Sequence, residues 1–85
     1  MTREEIEKKL IELAAEQAGV KAQELSAGTH FVNDLNFDSL DQVEYAMAVE
    51  DAFHVSVADD QVEKLQTIGD VTQLVAEQQD AAPSK

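Results

Sequence analysis

Ser39 is the residue whose position most suggests chemistry, because it stands at the expected start of a helix within the most acidic part of the chain. Residues 22–63 contain no Lys or Arg. A catalytic serine needs a base within reach and an oxyanion hole. No motif places His30 or His54 to serve Ser39, and no G-x-S-x-G turn surrounds it. We therefore expect an accessible hydroxyl that acts as an attachment point and not as a catalytic nucleophile.

The start of this helix also suits an attached anion. Asp38 is a good N-cap, and Asp41 lies in the first turn, where negative charge is favourable. The alternative is that Ser39 is only a small polar residue suited to a helix start. However, Asp38 already supplies the cap. A phosphodiester on the Ser39 hydroxyl would lie close to free helix N–H groups and to the positive end of the helix dipole.

The acidic residues raise a second possibility, a calcium site. Asp34, Asn36 and Asp38 match the first three ligand positions of a calcium-binding loop. The second half of the motif fails, because Ser39 stands where glycine is required and Tyr45 stands where a bidentate glutamate is required. We therefore expect no dedicated metal site, and a calcium-responsive helical module remains an alternative.

Composition limits the class of protein. A chain of 85 residues is one small domain, and without cysteine it has neither a disulfide nor a thiolate metal site. The net charge of −12 repels nucleic acid and anionic lipid but attracts basic protein surfaces. A hydrophobic content of 44% is too high for an acidic disordered tail. No apolar run could span a bilayer and no signal peptide is visible, so we expect a soluble cytoplasmic monomer without stable membrane binding.

Apolar spacing predicts an all-α fold, a small four-helix bundle of three longer helices and one short helix. The first helix, near residues 3–18, should open with a capping box of Thr2 and Glu5 and stop at Gly19. A long loop over residues 19–37, pinned by apolar anchors, separates it from the second helix. Loops of this length inside a small domain are often functional.

The remaining helices follow at shorter intervals. The second should run from Leu40 to about Phe53, a short helix should cover Asp59 to Lys64, and Thr67 with Asp70 should open the last helix. We expect residues 1–78 to form the domain and residues 79–85 to be a disordered tail. The residues expected in the core are Ile6, Leu10, Leu13, Phe31, Leu35, Tyr45, Val49, Phe53, Val57, Leu65, Ile68, Val71 and Leu74.

The segment from Phe31 to Phe53 reads F-V-N-D-L-N-F-D-S-L-D-Q-V-E-Y-A-M-A-V-E-D-A-F, and D-D-Q-V-E-K-L follows it in register. This pattern resembles the acyl carrier protein family, and the similarity extends from the first helix to Val75. The resemblance implies a four-helix bundle whose serine, by match Ser39, carries a covalent 4′-phosphopantetheine arm. The thiol at the end of the arm would hold acyl groups as thioesters and carry them between enzymes, so the chain itself is not expected to be an enzyme.

The resemblance also implies partners and an acyl pocket. A phosphopantetheinyl transferase would attach the arm, and fatty acid synthesis enzymes would dock through basic patches; a polyketide or other specialised acyl pathway is the alternative. The expected partner-binding residues are Asp38, Leu40, Asp41, Val43, Glu44, Met47, Glu50 and Asp51, although Val43 and Met47 could instead be ordinary core residues. The expected pocket lining is Tyr45, Ala46, Val49, Phe53, Val62 and Leu65.

Some positions depart from the family pattern. Asn36 stands where glycine is common, and asparagine tolerates the left-handed backbone better than most residues. Phe37 is bulkier than usual beside the serine and could shade the arm. Tyr45 brings a hydroxyl to a pocket position and needs a hydrogen-bond partner if it is buried. These changes leave the acyl chain length and the pathway open.

Overall fold

The computed structural model describes residues 2–81. Within them the chain forms four α-helices, with a short 3-10 helix in the long loop and no named strand. The helices are α1 (Arg3–Ala18), α2 (Ser39–Phe53), α3 (Asp59–Val62) and α4 (Ile68–Ala81), and the 3-10 helix covers Ala22–Glu24. The predicted all-α bundle of three longer helices and one short helix is therefore confirmed. The short helix ends two residues earlier than predicted.

The first helix has the predicted ends. The Glu5 N–H donates to Thr2 Oγ1 at 3.2 Å, and the Thr2 N–H donates to Glu5 Oε1 at 2.8 Å, which completes the capping box. The bond from the Thr2 backbone lowers the pKa of Glu5 from its ordinary value. Gly19 ends the helix in the left-handed region at φ 74°, a conformation that glycine adopts without strain.

The last helix continues farther than predicted. Thr67 and Asp70 form the expected cap, with both of their reciprocal hydrogen bonds at 3.1 Å. The helix then runs to Ala81, and the Gln78 side chain holds the Ser56 backbone by accepting its N–H and donating to its carbonyl. The hydrogen bonds to Ser56 give the last turn a tertiary partner. The rest of the predicted tail, residues 82–85, lies outside the described residues.

Eight of the thirteen residues predicted for the core are buried, and the other five are half-buried. Val75 is fully buried whereas Leu74 is half-buried, because the buried stripe of α4 follows Ile68, Val71 and Val75 at helical spacing. Phe37 is buried although it was not expected in the core. The buried cluster consists of Ile6, Leu10, Ala14, Phe31, Phe37, Tyr45, Val49, Phe53, Val55, Ile68, Val71 and Val75. The other expected core members, Leu13, Leu35, Val57 and Leu65, are half-buried.

The long loop is attached to the start of α4, and this attachment positions the start of α2. The Phe31 N–H donates to the Gln66 carbonyl at 2.9 Å, and the Ile68 N–H donates to the Thr29 carbonyl at 3.1 Å. At Gly69 the two backbones come so close that a Cβ would lie 3.1 Å from the Ala27 carbonyl oxygen. Helix α1 packs against both α4 and α2. None of the helices in residues 2–81 has the length and apolar character needed to cross a bilayer.

Candidate functional site: the start of helix α2 and the cavity beneath it

A tight turn presents Ser39 to solvent. Asn36 has φ 59°, so the chain reverses in the left-handed region that was expected to tolerate asparagine. The Phe37 N–H then donates to the Phe31 carbonyl at 2.9 Å, which draws Phe37 inward. Two residues later, Ser39 is the first residue of α2 and is exposed. The turn therefore buries the phenylalanine and leaves the serine outside.

Asp38 caps the helix and leaves Ser39 free of that task. The Asp41 N–H donates to Asp38 Oδ1 at 2.9 Å, and the Asp38 N–H donates to Asp41 Oδ2 at 3.2 Å. Helix geometry gives the N–H groups of Ser39 and Leu40 no acceptor within α2. An anion on the Ser39 hydroxyl would therefore meet unpaired donors and the positive end of the helix dipole.

Neither histidine is arranged to act as a base for Ser39. His30 Nδ1 accepts the N–H groups of Val32 and Asn33, so this imidazole is used inside the long loop. His54 caps the opposite end of α2, about 22 Å from Ser39 at the rise of an α-helix. The site lacks the geometry of a serine hydrolase.

The acids of the calcium-like motif are used in turns and do not converge. Asp34 Oδ2 accepts the His30 N–H at 2.7 Å, while Asp38 is occupied in the cap of α2. In the part of the chain that the structure describes, no three His, Asp or Glu side chains gather where they could hold a metal ion. The sequence match therefore does not correspond to an assembled calcium loop.

The apolar residues on the outer face of α2 are exposed. Leu40 is 64% exposed, Met47 60% and Val43 47%. The alternative that Val43 and Met47 are core residues is therefore wrong. These side chains form an apolar strip on the helix that begins with Ser39.

The acids predicted to bind partners differ in their surroundings. Gln17 of α1 donates its amide to Asp41 Oδ1 at 3.2 Å and to Glu44 Oε1 at 2.8 Å. Glu50 Oε2 accepts the Val57 N–H at 2.8 Å and so holds the segment that follows α2. Asp38, Glu44 and Asp51 are exposed, whereas Asp41 and Glu50 are half-buried. The spacing of residues in the sequence could not predict that Gln17 contacts these acids, because they lie far from it along the chain.

A narrow apolar cavity lies beneath α2. Its volume is about 20 Å³, counted as the space within which the centre of a water molecule could lie. Its lining consists of Phe31, Phe37, Gln42, Tyr45, Ala46, Val49, Val57, Val62, Leu65 and Val71. Five of the six residues predicted for the pocket are in this set. The sixth, Phe53, is buried in the core but does not line the cavity, because it lies one turn beyond Val49 toward the end of α2.

Three aromatic rings meet on one side of this cavity. Phe31 stacks on Phe37 with ring centroids 5.5 Å apart, and Tyr45 contacts Phe31 at 5.0 Å and Phe37 at 6.1 Å. The expectation that Phe37 could shade the arm is wrong, because its ring points into the protein and is only 4% exposed. The sequence did not predict Phe37 as a lining residue, because the direction of its side chain depends on the turn at Asn36.

The Tyr45 hydroxyl has the partner that a buried tyrosine needs. It donates to the Leu10 carbonyl of α1 at 3.0 Å, which ties α2 to α1 below the cavity. Burial raises the pKa of Tyr45 well above its ordinary value, because the phenolate would be desolvated. The phenol is therefore neutral and fixed in place at neutral pH.

Comparison with known families identifies the class of protein. A family model described as phosphopantetheine attachment site matches residues 8–75, which include most of α1, all of α2 and α3, and the first half of α4. Domains of this family bind 4′-phosphopantetheine covalently on a serine, and the exposed serine at the start of α2 has surroundings that fit a phosphodiester. The resemblance to acyl carrier proteins is confirmed at this level: the chain belongs to the family of phosphopantetheine-carrying carrier proteins.

Proposed function

We propose that the chain is an acyl carrier protein and that Ser39 is the residue that carries the arm. Three serines, Ser26, Ser39 and Ser56, lie within the matched residues. Ser26 lies in the long loop, and the backbone of Ser56 is held on both sides by Gln78. Ser39 alone of the three begins an α-helix, and its exposed hydroxyl next to unpaired helix N–H groups is the observation that carries the proposal.

The proposed reaction requires only the Ser39 hydroxyl from this chain. The Ser39 oxygen would form a bond to phosphorus as the adenosine 3′,5′-bisphosphate half of coenzyme A leaves, and the hydroxyl proton would pass to the transferase or to water. The N–H groups of Ser39 and Leu40 would then face the phosphodiester. When bound, the arm supplies a thiol for thioester formation, which a chain without cysteine lacks. The chain is a carrier in this proposal and performs no catalysis.

The surface around Ser39 supports docking to basic enzymes. Exposed acids at Asp38, Glu44 and Asp51 flank the apolar strip of α2. Complementary charge speeds association and makes it sensitive to salt, while a small apolar contact gives an interface that forms and breaks readily. We propose the phosphopantetheinyl transferase and the acyl-processing enzymes of the pathway as the partners of this surface.

Fatty acid synthesis is the pathway that we propose first, on the strength of the sequence pattern around Ser39. A carrier for polyketide or other specialised acyl groups is the second candidate, and the aromatic rings beside the cavity favour it. Reconstitution with fatty acid synthase enzymes separates the two. Elongation on this carrier supports the first, and a loaded carrier that is not elongated supports the second.

Incubation with coenzyme A and a phosphopantetheinyl transferase, followed by intact mass measurement, tests the carrier proposal. The wild-type chain should gain the mass of one phosphopantetheine, and Ser39→Ala should gain none. Ser26→Ala and Ser56→Ala are matched controls that should load like the wild type. Circular dichroism on all four proteins checks that the helices are intact. Equal loading of Ser39→Ala would reject the assignment.

A further inference from the structure

His30 caps a single helical turn that leads toward the start of α2. The Asp34 N–H donates to the His30 carbonyl at 2.9 Å, which is the bond of one α-helical turn. The cap is the imidazole, because its Nδ1 accepts the N–H groups of Val32 at 3.2 Å and Asn33 at 3.1 Å. These are the second and third N–H groups of the turn, the ones that a serine or aspartate cap accepts at the start of a helix.

This cap requires the neutral form of the ring. A nitrogen that accepts a hydrogen bond carries no proton, so Nδ1 is bare in this arrangement and Nε2 holds the single ring proton. A protonated imidazole has two N–H groups and no acceptor, and its positive charge is unfavourable beside the N–H groups that start a helical turn. Histidine is the side chain whose charge ordinarily changes between about pH 5 and pH 8. The turn therefore depends on a cap that can be lost by uptake of one proton.

Carboxylates from neighbouring elements lie near this cap. Asp34 Oδ2 accepts the His30 N–H at 2.7 Å within the same turn. On the side of α4, Asp70 Oδ2 accepts the N–H of Thr67, the residue that pairs with His30 in an isolated β-bridge. Glu24 of the 3-10 helix lines the same surface groove as Asp34. A protonated ring therefore has negative groups to turn toward, at the expense of the backbone N–H groups of the turn.

The capped turn positions the segment that presents Ser39. The Asn36 N–H donates to the Val32 carbonyl at 3.0 Å, and Asn36 then reverses the chain in the left-handed region. The next N–H, that of Phe37, donates to the Phe31 carbonyl at 2.9 Å, and its ring is buried. Ser39 follows two residues later. A rearrangement at the start of the turn is therefore transmitted to the serine through only a few residues.

We infer that the neutral imidazole of His30 is a positioning residue for the loading of Ser39, so that protonation of this one side chain slows attachment of the arm. The inference rests on the proposed function and adds a means of regulation by pH. His54, the other histidine of the chain, is exposed at the opposite end of α2 and takes no part in the turn. It therefore provides a matched control.

Loading rates across a range of pH test this inference. Serine is a good helix cap that does not titrate, so His30→Ser keeps a cap at every pH, whereas His30→Ala has none. At about pH 8 the wild type and His30→Ser should load at similar rates, and His30→Ala about two- to fivefold more slowly. At about pH 5.5 the wild type should fall to the rate of His30→Ala, while His30→Ser stays faster than both by about the same factor. Each rate is the kcat/KM of one transferase at one pH, so titration of the enzyme cancels in the ratios.

Two controls separate the cap from a general effect of charge. His54→Asn removes the other histidine, and asparagine tolerates the left-handed backbone of that position, so this variant should follow the wild type at every pH. Protonation of His30 also weakens attraction to a basic enzyme, but high salt screens that effect, and the difference from His30→Ser should persist there. A constant ratio between the wild type and His30→Ser at all pH values, or a difference that disappears in high salt, would overturn the inference.

Amide chemical shifts report the cap without any loading. As the pH falls, the amide protons of Val32 and Asn33 should shift together with the ring protons of His30 in the wild type, and they should stay in place in His30→Ser. A ring that titrates while these amides do not move would overturn the inference. Absence of loading at every pH would instead reject the proposed function, and the amide shifts would still decide whether protonation releases the turn.

Discussion

Replacement of Tyr45 by phenylalanine removes the hydrogen bond that ties α2 to α1 and keeps the ring in place. The wild-type hydroxyl is buried and donates to the Leu10 carbonyl at 3.0 Å. A bond of this kind contributes a net of about 1 kcal/mol to stability. At neutral pH, Tyr45→Phe should therefore lower the melting temperature by about 4–8 °C, as expected for a domain of this size.

At alkaline pH the same substitution should have the opposite effect. Burial raises the pKa of Tyr45 above its ordinary value of 10.0, so the folded chain keeps the phenol neutral while the unfolded chain ionises. Above about pH 10 the unfolded state binds fewer protons than the folded state, and the wild type loses about 1.4 kcal/mol of stability per pH unit. Tyr45→Phe has no such loss. The two stability curves should cross between about pH 10 and pH 11, because the loss reaches there the roughly 1 kcal/mol contributed by the bond.

Urea unfolding of both proteins across this range measures the crossing. Lysine deprotonation affects both chains equally, so it cancels in the difference between them. The absorbance of tyrosinate gives a second readout, because the chain has one tyrosine and no tryptophan. Ionisation should appear together with loss of helix. A phenol that titrates near pH 10 in the folded protein, or a variant that stays less stable at every pH, would refute the reasoning.

Three further predictions concern the acidic surface. Added salt should raise the melting temperature, because a net charge of −12 in so small a domain is self-repelling; a flat or falling curve would contradict this. Gln17→Glu puts a third carboxylate beside Asp41 and Glu44, so the melting temperature of this variant should be lower than that of the wild type at low salt and approach it at high salt. Gln17→Leu is the control, and added salt should raise its melting temperature no more than that of the wild type. Glu50→Ala should cost about 1 kcal/mol of stability through the lost bond to Val57. Asp51→Ala, with the same change in charge, should not lower the stability, because it removes one exposed charge from a self-repelling surface, and it should slow transferase binding. Equal destabilisation by both substitutions would argue against a structural role for Glu50.

Local signals in the sequence predicted the helices and their caps well. The capping pairs at Thr2, Asp38 and Thr67 each involve a partner three residues away, and Gly19 ends α1 as expected. Such features depend on neighbouring residues alone, so a single sequence contains them. The left-handed turn at Asn36 was also predictable from the residue type.

Features that depend on contacts between distant residues could not be predicted. Gln17 and its two acids are brought together by the packing of α1 on α2, and no spacing rule connects them. Phe37 was expected beside the serine because it precedes the helix, but the bond to the Phe31 carbonyl turns it inward. Glu50 was expected on the docking surface, yet it also holds the Val57 backbone. The last helix continues past its predicted end, where the Gln78 side chain forms two hydrogen bonds with the Ser56 backbone.

The location of the arm on the loaded chain is the most direct test of the central claim. Lys21 and Lys64 are the nearest tryptic sites, so one peptide contains all three candidate serines, and fragment ions must separate them. After loading with coenzyme A, the added mass should lie on Ser39 alone. Added mass on Ser26 or Ser56, or none at all on a folded chain, would contradict the account.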